Sequence, residues 1–346
     1  MANQTTLMTR LNLKRPLIVA PMAGGPSSVA LVAAASQAGA LGSIGAAYSS
    51  ALAITEFAAK VRERTDCPFA INLFAPHPVP PVTEAQIGAA LRATASYRDE
   101  MNLPAPRLAP PYAEDFDAQF DAALRARPVA ISFVFGLLAV KYMRAAAHEK
   151  IALIGTATTL EEALALEASG VDAMVLQGIE AGGHRGIFAP DAPDVEIATF
   201  DLLASCRDKI RLPLIAAGGI MTKADAEAAL AKGAQAVQMG TAFLACKEAG
   251  TSAPYRAKLL EGERRTKTTR VFSGRLARGI ENRFMAEMEG RKAALLAFPA
   301  QNVLTRDLRS ASAAHGSAEF LSLWAGAGQG ELWQGSAREL IERLFP

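Results

Sequence analysis

The chain has 346 residues, 51% hydrophobic and 20% charged, so a large core is available and wholesale disorder is disfavoured. Lys plus Arg total 36 and Asp plus Glu 34; a net charge of +2 argues against a nucleic-acid binder that works by bulk charge. Three scattered cysteines (Cys67, Cys206, Cys246) and four histidines without HxH or HExxH spacing argue against a disulfide framework and a protein-ligated metal. The apolar run before Pro21 is too short for a signal h-region, and no stretch reaches the about 18 apolar residues of a membrane span. The expectation is a reduced, soluble, cytoplasmic protein.

Eight short apolar runs follow in order at 16–22, 40–46, 69–74, 129–136, 151–155, 173–178, 213–219 and 236–243. They lack alternation, which is how strands covered on both faces read. Ala-rich stretches with helical spacing lie between them, most clearly at 27–37, 51–64, 139–148, 160–168, 200–207 and 224–232. Thr159 with Glu162, and Thr222 with Asp225, carry the capping-box spacing of helix starts. Gly39, Gly170 and Gly233 stand where a helix ends and a strand begins, a position that takes positive φ. This repeated unit predicts an α/β fold, a (β/α)8 TIM barrel over about residues 15–245. A doubly wound open sheet is the rival, but no GxGxxG follows the first run.

Two regions break the rhythm. Residues 75–112 hold eight of the 19 prolines and predict an extended, irregular insertion after the third strand. Residues 250–346 show helical periodicity, for example at 277–297 and 317–324, and no strand run. The expected division is a barrel domain over 1–245 and a smaller helical domain over 246–346 that closes the active-site side. Trp324, Leu332, Trp333 and Phe345 point to packing there rather than to an exposed tail.

Active sites of such barrels sit at the C-terminal strand ends. The first run ends in Pro21-Met22-Ala23-Gly24-Gly25, small residues that admit a flat ligand or simply make a tight turn. The third carries Asn72, an amide able to face a ring edge or to cap the next loop. The sixth runs into QGIEAGGHRG at 177–186, where four glycines accompany His184. A lone histidine is commonly a surface or core residue; the strand-end position among glycines favours a functional one. The seventh run ends at Gly218-Gly219 and the eighth at Gln238-Met239-Gly240-Thr241. Barrels often bind phosphate there through backbone N–H groups, although either motif alone also suits an ordinary helix turn. With the amides of Asn72 and Gln177 aimed inward, the set predicts a phosphorylated planar cofactor. FMN fits; PLP would want a lysine at a strand end, and none of the eight offers one. Tyr112, closing the insertion, reads as either a substrate-pocket residue or a solvated loop tyrosine.

These residues carry a resemblance to the nitronate monooxygenases, formerly 2-nitropropane dioxygenases, in particular the bacterial class I branch. The segments that carry it are PMAGG at 21–25, AINLF at 70–74, QGIEAGGHRG at 177–186, LPLIAAGGI at 212–220 and GAQAVQMGTAFL at 233–244. The resemblance implies noncovalent FMN, with Met22 and Ala23 near the flavin ring. It implies FMN contacts from Asn72, Gln177, Gly182, Gly219 and Gln238, Met239, Gly240 and Thr241, and an active-site role for His184. It further implies oxidation of a small-molecule nitronate by O2 to a carbonyl compound and nitrite, through a flavin semiquinone and without reduced nicotinamide. No nucleic-acid or membrane partner is implied, and a homodimer is compatible with the helical addition. Ser27-Ser28-Val29 replaces the family's Ser-Thr-Pro, LWAGAGQG at 323–330 a more compact WAGQ, and Phe298-Pro299 the frequent Tyr-Pro. The last two bear on substrate choice more than on FMN. The rival readings are an NAD(P)H-dependent FMN reductase acting on enoyl thioesters or quinones, a flavin-binding protein without turnover, and an FMN-free phosphosugar isomerase.

Overall fold

All eight apolar runs form strands in the computed structural model, which describes residues 7–346, and a further two-residue strand follows the sixth. The expected start of the barrel domain at residue 1 lies outside the described residues. The strands are β1 (Leu17–Val19), β2 (Gly42–Gly45), β3 (Phe69–Phe74), β4 (Ala130–Val134), β5 (Ala152–Ala157), β6 (Ala173–Gln177), β7 (Gly183–His184), β8 (Leu214–Ala217) and β9 (Ala236–Met239). Eight of them, β7 apart, pair in parallel in the order β1-β9-β8-β6-β5-β4-β3-β2. Leu41 closes the ring: its N–H donates to the Leu17 carbonyl and its carbonyl accepts from the Val19 N–H, both at 2.9 Å. The fold is a TIM barrel.

The helices begin with α1 (Leu7–Arg10), α2 (Val29–Gln37), α3 (Ala51–Arg62), α4 (Glu84–Glu100), α5 (Phe116–Arg125) and α6 (Val140–His148). α7 (Leu160–Ser169), α8 (Thr199–Cys206) and α9 (Lys223–Ala231) follow. Gly39, Gly170 and Gly233 take the expected positive φ at helix ends. Thr222 and Asp225 form the reciprocal capping box. At Thr159 only half of it forms, because the Glu162 carboxylate turns to the Thr158 hydroxyl and the Phe188 N–H.

Successive strand residues point to opposite faces. Outward, Ile71, Leu73, Ile131, Phe133, Met174, Leu176, Val237 and Met239 join the core under the helices. Inward, Ile18, Ala70, Ala130, Ala152, Ile154, Ala173, Val175, Ile215 and Ala236 fill the barrel. Leu7, Leu11 and Leu13 join that cluster from the N-terminal segment and floor it. Both faces are therefore apolar through most of each strand, which is why the runs show no alternation.

Two expectations are corrected. The insertion after β3 is not irregular throughout: it contains α4, 17 residues long. Its prolines fall at 76–81 and 104–111 and leave 84–100 free, and Thr83 with Gln86 caps that stretch in a full capping box. The C-terminal region is not wholly helical. Besides α10 (Ala253–Leu260), α11 (Arg283–Glu289), α12 (Ala300–Ala314) and α13 (Ala337–Leu344), it holds β10 (Thr266–Thr269) and β11 (Ala277–Ile280). β11 pairs with both β10 and β7, and 317–324 is irregular. Pairing with a distant strand here outweighs local periodicity.

α4 packs on this region through Tyr97, with Phe272, Phe284, Met285, Met288, Leu308 and Phe320. The buried guanidinium of Arg98 forms an ion pair with Asp307. The insertion and the C-terminal region thus share one apolar cluster and form a cap. α13 then returns to the barrel flank between α9 and α2, beyond the expected boundary at 245. No helix among the described residues is long and apolar enough to cross a membrane.

The barrel floor is testable. Leu11→Ala empties a fully buried site and is expected to cost about 2–5 kcal/mol in urea unfolding; a loss below ~0.5 kcal/mol would mean that residues 7–13 do not floor the barrel.

Candidate active site

A cavity of about 550 Å³ lies between the C-terminal strand ends and the cap, within the range of small-ligand sites. At these ends the inward positions change character. Asn72 on β3, Ser132 on β4, Thr156 on β5, Gln177 on β6 and Gln238 on β9 all line the cavity. The Asn72 amide donates to Ser132 Oγ at 3.0 Å, which leaves its carbonyl oxygen free. Gln238 makes no side-chain hydrogen bond among the described residues.

Gln177 has other work. Its Oε1 accepts from the Gly186 N–H at 2.8 Å and Arg185 Nη1 at 2.9 Å, and its Nε2 donates to the His184 carbonyl at 3.0 Å. It braces the loop that carries His184, with only one N–H left over for a ligand. Arg185 is 1% exposed, pairs with Asp194 at 2.6 Å and also donates to the Gly178 carbonyl. This arginine belongs to the loop's frame, not to the cavity.

β7 brings His184 opposite Ala277 of β11. The ring borders the cavity among Phe74, Phe135, Phe298 and Trp324, with centroids 5.7–6.2 Å away. Nε2 lies 2.8 Å from Ser273 Oγ. Burial first, then the charges of Arg275 and Arg309, lower its pKa to about 3. The imidazole is therefore neutral at physiological pH. His77 stacks on Phe298 in the same aromatic group at 5.4 Å, and burial lowers its pKa as well.

The cap supplies the charge. α12 turns Asn302, Arg306, Arg309, Ser310 and Ala313 toward the cavity at helical spacing. Arg309 donates to Asn302 Oδ1 at 2.7 Å and to the carbonyls of Asn302 and Thr305, but pairs with no carboxylate among the described residues. No Asp or Glu among the described residues lines the cavity. Tyr48 follows β2 at the same wall; burial pushes its pKa up to about 12, with Arg309 and Arg306 pulling it back. Tyr255 donates to the Trp324 carbonyl. The 324–330 tract is laid on the strand-end loops by hydrogen bonds from Gly326 N–H to Thr241 Oγ1 at 2.9 Å and from Ala327 N–H to the Glu180 carbonyl at 2.8 Å.

The structure thus gathers Met22, Ala23, Asn72, Gln177, Gly182, His184, Gly218, Gly219, Gln238, Gly240 and Thr241 on one cavity. It leaves two candidates out. Met239 is 1% exposed in the outer core, because alternation turns it away when Gln238 points in. Tyr112 is absent from the lining and packs with Ala90, Leu296, Ala300 and Leu304 inside the cap. Sequence reasoning missed Ser132 and Thr156, which reading every strand end by alternation would have found, and Tyr48, which stands in the turn after β2 where alternation gives no signal. It also missed Ser273, Asn302, Arg306 and Arg309, whose place depends on how the cap docks.

The His184 shift sets a pH effect. The unfolded imidazole titrates near 6.5 and the folded one near 3, so between those values the unfolded state binds the extra proton. This residue makes stability fall as pH drops through that window and has no such effect above it. Wild type is expected to lose more stability than His184→Asn between about pH 7 and about pH 4.5 in urea melts, a difference of order 1–3 kcal/mol. Equal losses would mean that the ring titrates as an exposed one.

The comparisons with known proteins agree with one another. The family model described as nitronate monooxygenase matches residues 5–346. A probable nitronate monooxygenase of Bacillus subtilis is 37% identical over 97% of each chain. A nitronate monooxygenase of Paraburkholderia phytofirmans is 39% identical over 99% of this chain and 96% of its own. Among solved structures, nitroalkane oxidase from Streptomyces ansochromogenes superposes with a TM-score of 0.90 at 35% identity, covering 97% of this chain and 96% of that one. FabK from Thermotoga maritima gives 0.73 at 26%, covering 98% and 94%. The chain, matched over nearly its whole length in sequence and in fold, belongs to the nitronate monooxygenase family of oxidoreductase enzymes.

Proposed function

We propose that this enzyme oxidises alkyl nitronates with O2 to a carbonyl compound and nitrite, using FMN and no reduced nicotinamide. The observation that carries this reading is the charge of the cavity. Arg306 and Arg309 border it, and no carboxylate of the described residues does. A half-buried guanidinium without a counter-charge is costly, and an anionic ligand relieves that cost. A nitronate is such an anion. Similarity to the nitronate monooxygenases and to the Streptomyces nitroalkane oxidase supports the same substrate class.

The residues fit FMN. Gly218 and Gly219 take φ of 115° and 70°, and the amides of Gly219, Ile220, Gly240 and Thr241 donate to no group among the described residues. Converging free amides of this kind suit a phosphate. Those groups would hold the phosphate end, and Met22, Ala23, Asn72, Gln177, Gly182 and Gln238 would line the ring. When bound, FMN supplies the electron acceptor between nitronate and O2.

The chain's own side chains then do the rest. Phe74, Phe135, Phe298 and Trp324 keep water from the reacting carbon. Arg309 attracts the nitronate and fixes its orientation. His184, being neutral, contacts the nitro group without holding a competing charge.

Two measurements test this. Anaerobic ethyl nitronate is expected to bleach the visible absorbance of the purified protein, whereas NADH leaves it unchanged. Bleaching by NADH alone would replace the reading with a flavin reductase, and a colourless protein that takes up no FMN would remove the cofactor. Arg309→Gln is expected to raise KM for nitronates about tenfold with a smaller change in kcat. His184→Asn is expected to lower nitronate turnover at least about tenfold, and full activity would end its catalytic assignment.

A further inference from the structure

The hydroxyl of Ser273 has one proton and three neighbours. It lies 2.8 Å from His184 Nε2, 3.2 Å from the Arg275 carbonyl oxygen and 3.2 Å from the Arg275 amide, which donates to it. Ser273 and Arg275 are each 2% exposed. The Arg275 carbonyl has no other donor among the described residues. A buried carbonyl without a donor costs free energy, so the Ser273 proton belongs there. The remaining lone pair of Oγ then faces Nε2, which must carry a hydrogen for that contact to be a hydrogen bond. A neutral imidazole has one N–H, so Nδ1 is left with a bare lone pair. Nδ1 has no partner among the described residues, and the ring borders the cavity. The opposite arrangement, with Ser273 donating to Nε2, leaves the Arg275 carbonyl orphaned.

We propose that Ser273 is the positioning residue that holds His184 as the Nε2–H tautomer and presents Nδ1 to the cavity as a proton acceptor. The proposal rests on the nitronate reading, and a neutral nitroalkane, the substrate that needs a proton acceptor, reads it out. In the added step the Cα–H bond breaks, the proton passes to Nδ1, and the bonding pair moves onto the nitro group. The products are a nitronate and an imidazolium. Their opposite charges offset the repulsion that Arg275 and Arg309 exert on a protonated His184.

Nitrogen-15 NMR of the full-length protein as purified reads the tautomer, with His184 assigned by difference against His184→Asn. Wild type and Ser273→Thr are expected to show a protonated Nε2 and a bare Nδ1, and Ser273→Ala a mixture of tautomers. In parallel, the ratio of turnover on nitroethane to turnover on preformed ethyl nitronate is expected to fall about tenfold in Ser273→Ala and to recover in Ser273→Thr. An Nδ1–H wild type, a ratio untouched by Ser273→Ala, or a wild type that oxidises nitronate but never nitroethane would overturn the proposal. A bare Nδ1 with no turnover of either compound would defeat the nitronate reading while upholding the role of Ser273.

Discussion

Where the cap meets the barrel, backbone lies directly on backbone. A Cβ at Gly328 would stand 2.3 Å from the Gly219 carbonyl oxygen, and one at Gly182 would stand 2.5 Å from the Gly326 amide. Such distances are open to glycine alone. The shape of the cavity depends on this contact, because it seats the 324–330 tract on the loops after β6, β8 and β9 together. It also carries Trp324 to its place beside His184. The glycines of QGIEAGGHRG and AAGGI therefore serve two ends: some free amides for a ligand, others let the roof descend.

Two arginines show how the same side chain is used in opposite ways. Arg185 is fully buried, yet Asp194, Gln177 and the Gly178 carbonyl satisfy it, so it fixes a loop and offers nothing to a ligand. Among the described residues Arg309 bonds only to neutral oxygens of its own helix, and it faces the cavity. Its charge is left for an incoming group. Burial first, and then its field with that of Arg275, hold the His184 pKa down, so the charge that lines the cavity also opposes protonation of the ring.

The barrel was readable because its signals are local. Apolar runs of strand length, Ala-rich helical spacing and glycines at helix ends recur at a fixed rhythm, and each reflects steric or solvation rules acting within about ten residues. Asn72, Gln177 and Gln238 could be found for the same reason, as polar interruptions at strand ends. Their duties could not. Gln177 looked like a ligand contact, and its amide is largely spent on Gly186, Arg185 and His184. Met239 was included because motifs are read in blocks, whereas the pleat divides neighbours between two faces. The insertion misled because its prolines dominate the composition while sparing the stretch that becomes α4.

By itself the sequence determined the barrel, the strand ends that border the cavity with His184 among them, and the family to which the chain belongs. The tertiary structure alone decided what surrounds that histidine. Ser273, Arg309 and Trp324 are 89, 125 and 140 residues from His184 in the chain. They meet it only because α4 and the C-terminal elements share one apolar cluster and because β11 pairs with β7. Contacts across such separations follow from how two preformed layers dock, and no local periodicity records that docking.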